Sequence, residues 1–104
     1  MTVCLSFRDN SGEDRFEAEL PDGSIAIAQY RLDGDTMTFV HTAVPPAHEG
    51  HGVGSALIRL ALRSARSRGL RVVPLCPFVA AYMRKHPEEQ DLLDPEFRST
   101  VGLD

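Results

Sequence analysis

The stretch "PPAHEGHGVGS" is where this chain changes hydrophobic period, and that change limits what it can fold into. Upstream, apolar residues recur at every second position. In "RFEAEL" (15–20), Phe16, Ala18 and Leu20 share one face and charges share the other, the pattern of a half-buried strand. "SIAIAQYRL" (24–32) and "TMTFVHTAV" (36–44) also read as strands, joined by the hairpin signal "DGD". A weaker alternation over residues 3–8 predicts a strand before the turn "DNSGED", and "PDGS" makes the next turn. Pro45 and Pro46, which cannot donate to a ladder, end the meander. Downstream the period is helical: Ala56, Leu57, Leu60, Ala61 and Ser64 or Ala65 follow Val53, and Gly69 sits where a C-terminal cap belongs. "LRVVPLC" (70–76) reads as a short strand covered on both faces. "PFVAAYMRKH" (77–86) reads as a short helix with Pro77 in its first turn, stopped by Pro87. The tail has no long period and is expected to make a turn or two before fraying. The fold class predicted is α+β: a four-stranded antiparallel meander, a crossover helix, a fifth strand and a short C-terminal helix.

With 104 residues the chain is expected to form one domain, residues 1–104, around one modest core. Its apolar runs are too short for a transmembrane helix, and Arg8 and Asp9 fall where a secretory signal needs apolar residues. A cytoplasmic location follows as the expectation, with no membrane partner. The net charge of −4 argues against nucleic acid as a partner. Charge is unevenly spread, however: five arginines and no acid lie between Arg59 and Arg71. Such a stripe is either a solvated helix face or a seat for a polyanionic small molecule. Cys4 and Cys76 are far apart and expected to be reduced, and no Cys-x-x-Cys supports a zinc or redox site.

Gly50, Gly52 and Gly54 alternate with other residues just ahead of the helix. A helix start offers unpaired N–H groups and the positive end of a dipole, and removing side chains there lets an anion approach closely. A phosphate is the natural guest. A Walker loop needs Gly-Lys-Ser/Thr, but Gly54 is followed by Ser55 with no lysine. The dinucleotide fingerprint fails on spacing, on the meander strand that precedes the loop, and on the missing ribose-binding acid.

A strand like "FVHTAV", prolines, and then "EGHGVG" opening a helix resembles the acyl-coenzyme A loop of the GNAT superfamily of N-acetyltransferases, with its Gln/Arg-x-x-Gly-x-Gly/Ala pattern. "GLRVVPLCPFVAAYMRKHPEEQDLL" is similar to the minimal branch of that superfamily, marked by Leu-Cys-Pro-Phe-Val, a Tyr four residues on, and His-Pro-Glu. The resemblance runs from Phe16 to Leu93. Two positions depart from it. Glu49 stands where Gln or Arg is common and would face ligand phosphates, and Glu89 replaces a frequent Tyr, read as a surface change.

The resemblance implies a GNAT-like fold whose fifth strand is parallel to the fourth and splayed from it. It also implies acetyl-CoA (coenzyme A) as cosubstrate and no metal. Pantetheine would lie along Thr42, Ala43 and Val44, and pyrophosphate on the main chain of Gly50, His51, Gly52, Val53, Gly54 and Ser55. Pro77 falls within the same cofactor-binding set, and Arg84 and Lys85 are candidates for the nucleotide's extra phosphate. Cys76 would face the splay as proton donor or as acetyl-accepting nucleophile, set against the ordinary fate of a buried small hydrophobe. His41, on the fourth strand, would be the base or the activator of Cys76, or else a structural donor.

The "HEGH" pair, His48 and His51, lies on a loop without a third ligand and reads as no zinc site. His86 is expected to cap or pack its helix, and Tyr82, Phe78 and Leu75 to pack in the core. The function implied is transfer of acetyl to an amine not identified by the sequence. The alternative is a non-catalytic acyl-coenzyme A binding or partner-interaction module. Larger relatives wall the acceptor pocket with helices after the first strand, whereas this chain runs from strand to strand. That favours a large acceptor such as a protein lysine, or a pocket completed by a second copy. The expected state is a monomer or weak homodimer.

Overall fold

A computed structural model describes residues 6–50 and 52–97. Cys4, His51, residues 3–5 of the first expected strand and the tail beyond 97 lie outside them. Five strands, β1 (Ser6–Asn10), β2 (Arg15–Glu19), β3 (Ile25–Asp33), β4 (Thr36–Ala43) and β5 (Arg71–Pro74), form one sheet in sequence order. The first four are antiparallel neighbours and β5 is parallel to β4. Helix α1 (Val53–Ser67) makes the crossover, and α2 (Pro77–Lys85) follows β5. The α+β arrangement read from the hydrophobic periods is the one observed.

One face of the sheet carries the core. Phe16, Ala18, Ala26, Ala28, Tyr30, Met37, Phe39 and Val72 meet Leu57, Ile58, Ala61 and Leu62 of α1, with Val79 and Met83 of α2. Ala18 pairs with Ala26 and Phe16 with Ala28, so alanines form a shallow bed on which α1 rests close to β2 and β3. Tight packing of this kind makes Leu57→Ala a loss of about 2–5 kcal/mol.

Three boundaries differ from expectation. Strand β1 extends through Asp9 and Asn10, which the sequence assigns to a turn, because both have partners in the sheet. Tyr30 Oη donates to Asp9 Oδ1 at 2.6 Å, and Asn10 Nδ2 donates to Glu17 Oε2 at 3.1 Å. Strand β5 stops at Pro74 instead of Cys76, and Leu75 is exposed. The tail is better anchored than its lack of period suggests. After a 3₁₀ helix (Pro87–Leu92), buried Leu93 bridges Val72, and the Asp94 N–H donates to Val72 O at 3.0 Å on the free edge of β5. Arg66 of α1 clamps this segment through both oxygens of Asp91 at 2.7 and 2.8 Å and the Glu88 carbonyl. Glu89, read as a surface change, is in fact buried and accepts from Arg66 at 3.3 Å.

Both helices pack on the core face. Glu17, on the opposite face, is only 2% exposed because Arg8, Arg15 and Asn10 close over it.

Candidate acetyl-donor groove and catalytic residues

The ladder between β4 and β5 ends at Phe39 opposite Pro74, and the Cys76 N–H closes it with a bond to Phe39 O at 3.0 Å. Strand β4 continues to Ala43, so its last residues keep β3 on one edge and, among the described residues, have no strand on the other. Unpaired strand edges accept extended ligands much as they accept another strand.

From there the chain passes through Pro45 and a 3₁₀ turn (Pro46–His48) into the glycine loop. Helix α1 begins after Gly52, whose φ of 79° only glycine adopts without strain, and among the described residues no side chain caps the helix. Its first intrahelical bond is Ala56 N–H to Gly52 O, leaving the N–H groups of Val53, Gly54 and Ser55 without helical acceptors. Gly54 has a different reason to lack a side chain. An added Cβ would come within 2.7 Å of the Phe78 ring, which lies across the start of α1.

These elements surround an open cavity of about 430 Å³. Thr42, Val44, Gly50, Gly52, Val53, Gly54 and Ser55, all named by sequence reasoning, line it together with Glu49. Ala43 pairs with Ile27 and Pro77 is exposed, and neither reaches the lining. Two lining residues escaped the sequence reading. His48, considered there only as a metal ligand, holds the loop to the β2–β3 turn: its Nε2 lies 2.9 Å from Asp22 Oδ2. Donation from Ser24 and then from His48 keeps the Asp22 carboxyl well below its usual range. Phe78, expected in the core, is 42% exposed and forms a wall, and Leu75 is likewise exposed, so only Tyr82 of that trio is buried. Proximity in space, invisible in the linear pattern, decides both cases. Among the described residues no group of three or more His, Cys, Asp or Glu is arranged to hold a metal ion.

Cys76 is a buried free thiol at the start of α2. Its Sγ–H donates to Thr42 Oγ1 at 3.4 Å, and it is Thr42, not Cys76, that lines the cavity. His41 is elsewhere. An irregularity in the β3–β4 register makes Val40 an extra residue between the Tyr30–Phe39 and Gln29–His41 pairs. Thr42, opposite buried Ala28, therefore points to the core side, and His41 points to the outer face of the sheet, exposed. Thiol and imidazole flank one strand from opposite sides.

Lys85 borders a smaller hollow shared with Ser55 and Phe78, whereas Arg84 is exposed and lines neither space. His86 packs as expected, its ring stacked on Tyr82 at 3.9 Å and 14°, with Nδ1 2.7 Å from the Tyr82 carbonyl.

Comparison with known proteins agrees with this architecture. The sequence profile described as GCN5-related N-acetyl-transferase matches residues 15–92. The solution structure of a GCN5-like protein from Staphylococcus aureus is 23% identical, with a TM-score of 0.65 over 90% of this chain and 91% of that one. Rv2747 from Mycobacterium tuberculosis, solved in complex with CoA and a second ligand, is 21% identical. It gives a TM-score of 0.51 over 85% of this chain and 69% of its own. At these identities the two structures attest the fold.

Proposed function

The chain belongs to the GCN5-related N-acetyltransferase family, and from that premise we propose that it binds acetyl-coenzyme A in the glycine-loop groove and passes the acetyl group to an amine. The observation that carries the proposal is the meeting, in one groove, of an uncapped helix start and an unpartnered strand edge. The first suits a pyrophosphate and the second suits the amide-bearing pantetheine arm. The Mycobacterium tuberculosis structure, with its CoA, supports the same choice of ligand.

Acetyl-coenzyme A supplies an activated acyl carbon, and the chain's residues divide the remaining work between two sides of β4. His41, on the outer face, takes the proton that the amine loses as its nitrogen bonds to the acyl carbon. Thr42, on the groove side, passes its hydroxyl proton to the sulfur as the carbon–sulfur bond breaks and takes the Cys76 S–H proton in its place, so that the negative charge ends on the Cys76 sulfur. The Cys76 S–H occupies an acceptor site of that hydroxyl and so turns its hydrogen outward. This arrangement favours direct transfer, because a thiol only 4% exposed and outside the lining is poorly placed to receive the acetyl group itself. The acceptor comes from the outer face, where only a short 3₁₀ turn joins β1 to β2 and no helix walls a pocket among the described residues. A lysine on a protein fits an opening of that kind.

One observation favours the second reading, a non-catalytic acyl-coenzyme A module: His41 and Cys76 form no acid–base pair. Thermal melts with coenzyme A and acetyl-coenzyme A, followed by thiol release with lysine-containing proteins, separate the two. Stabilisation by several degrees is expected from a ligand well above its Kd. Acceptor-dependent thiol release lost in His41→Ala supports the transferase. Stabilisation without release from any acceptor favours the module, and no stabilisation sinks both.

A further inference from the structure

Among the described residues that line the glycine-loop groove, His48 alone is hydrogen-bonded to a carboxylate of a distant segment. It stands one residue ahead of the Glu49–Gly54 pattern. Its Nε2 lies 2.9 Å from Asp22 Oδ2, on the turn between β2 and β3. That carboxylate is itself fixed: Asp22 Oδ1 accepts the Ser24 N–H at 3.0 Å and the Ser24 hydroxyl at 2.6 Å. Donation by the Ser24 hydroxyl, then by His48, holds the Asp22 carboxyl below its usual range, so it stays ionised.

A carboxylate on one ring nitrogen fixes the orientation of an imidazole and favours its charged form. An anion beside the ring acts in the same direction. A neutral imidazole has one N–H, and here it is spent on Asp22. Only the imidazolium has a second N–H to give, from Nδ1, which has no hydrogen-bond partner among the described residues. The charged groups nearby are few. Asp22 comes from the β2–β3 turn and Glu49 from the loop, the first turn of α1 supplies Ser55 and no charge, and Lys85 of α2 borders only the adjoining hollow. His51, the loop's other histidine, lies outside the described residues.

We propose that His48 is a proton-coupled ligand of the cosubstrate's pyrophosphate: on binding it takes a proton from solvent, keeps Nε2–H on Asp22 and gives Nδ1–H to a phosphate oxygen. The proposal rests on the reading of the groove as the coenzyme A site. It adds to the backbone donors a side chain that becomes cationic as the ligand arrives, and it offsets the charge of Glu49. Asp22 is a positioning residue that acts through His48. A tether between loop and turn accounts for the 2.9 Å contact alone, and it takes up no proton.

The test is calorimetric titration of the full chain with dephospho-coenzyme A, whose pyrophosphate does not titrate near neutral pH. Runs at pH 7 in buffers of low and high ionisation enthalpy count the protons exchanged. Wild type should take up about half a proton per ligand, and its affinity should fall about five- to tenfold from pH 6 to pH 8.5. Binding favours the protonated ring, so this contribution is complete at low pH and lost as pH rises. His48→Gln keeps an N–H for Asp22 but cannot titrate, and should bind at the weaker level throughout with no uptake. Asp22→Asn keeps an oxygen for Ser24 and removes the charge behind the ring. Uptake should fall in that variant while the melting temperature holds within about two degrees. Carboxyl and ammonium groups ordinarily titrate outside this window, so His51 is the group to exclude. His51→Gln should keep both the uptake and the pH slope. Equal uptake in wild type and His48→Gln, or a slope that disappears with His51 instead, overturns the proposal. Binding by wild type without uptake overturns it too, and leaves the reading of the groove intact. If neither dephospho-coenzyme A nor coenzyme A binds, both fall.

Discussion

Two polar regions of this molecule are built on opposite terms. On the outer face of the sheet, Glu17 receives Arg8 Nε and Arg15 Nε at 2.6 Å each and Asn10 Nδ2 at 3.1 Å, and its carboxylate is covered. At the start of α1, three backbone donors have no helical acceptor, no side chain among the described residues caps them, and the glycines are exposed or pressed against Phe78. Polar groups that satisfy one another stabilise the fold and have nothing left to offer a ligand. Donors left unpaired stabilise nothing until a ligand arrives. The first cluster should therefore govern stability and the second affinity.

Among these polar sites the largest effect expected is at Glu17. Glu17→Ala strands exposed Arg8, half-buried Arg15 and Asn10 and should cost about 2–3 kcal/mol by denaturant unfolding. The affinity for coenzyme A should be unchanged, and a parallel loss of affinity would break the contrast. Acid sharpens it: the hydrogen bond from Arg15, then those from Asn10 and Arg8, lower the Glu17 carboxyl from 4.5 to about 2. A carboxyl depressed on folding contributes stability that is complete above pH 4.5 and is lost as pH falls towards 2. Glu17→Gln should flatten that limb of the melting-temperature profile.

Next comes Gly52→Ala. A Cβ at φ 79° costs about 1–2 kcal/mol, and any relaxation re-aims the helix-start donors, so coenzyme A affinity should fall by more than the stability loss implies. Equal losses in both measurements would argue that the loop is structural. Gly54→Ala is expected to be gentler on the fold, under about 1 kcal/mol, because Phe78 is half-exposed and can swing aside. The displaced ring should still disturb the groove, and a double-mutant cycle with Phe78→Ala should recover much of the lost affinity. The smallest effect is at Glu49, which lines the groove. Glu49→Gln should tighten coenzyme A binding by a few-fold at low salt and by less as salt screens the repulsion.

Periodicity made the meander, crossover helix and second helix legible, because buried faces impose their spacing on the chain. Phe16, Ala18 and Leu20 announced their strand, and Leu57 and Ala61 their helix. The loop's glycines were legible too, since few sequences bare the backbone so insistently ahead of a helix. The opposed placement of His41 and Thr42 was not. Strand alternation alone assigns a face to each residue, and one unpaired Val40 reverses the assignment downstream. Nor could spacing reveal Phe78 over Gly54, His48 on Asp22, or Arg66 holding the tail, all contacts between distant segments. Leu92 and Leu93 were missed for a related reason: two adjacent apolar residues carry no period.

That single extra residue at Val40 makes the facing of His41 and Thr42 along β4 a matter of counting rather than of chemistry. Deleting it without changing any other side chain would exchange the sides of His41 and Thr42. The imidazole would turn towards Cys76 and the hydroxyl towards the outer face of the sheet. In this chain, which of the two groups meets the core side of the sheet is one codon from reversal.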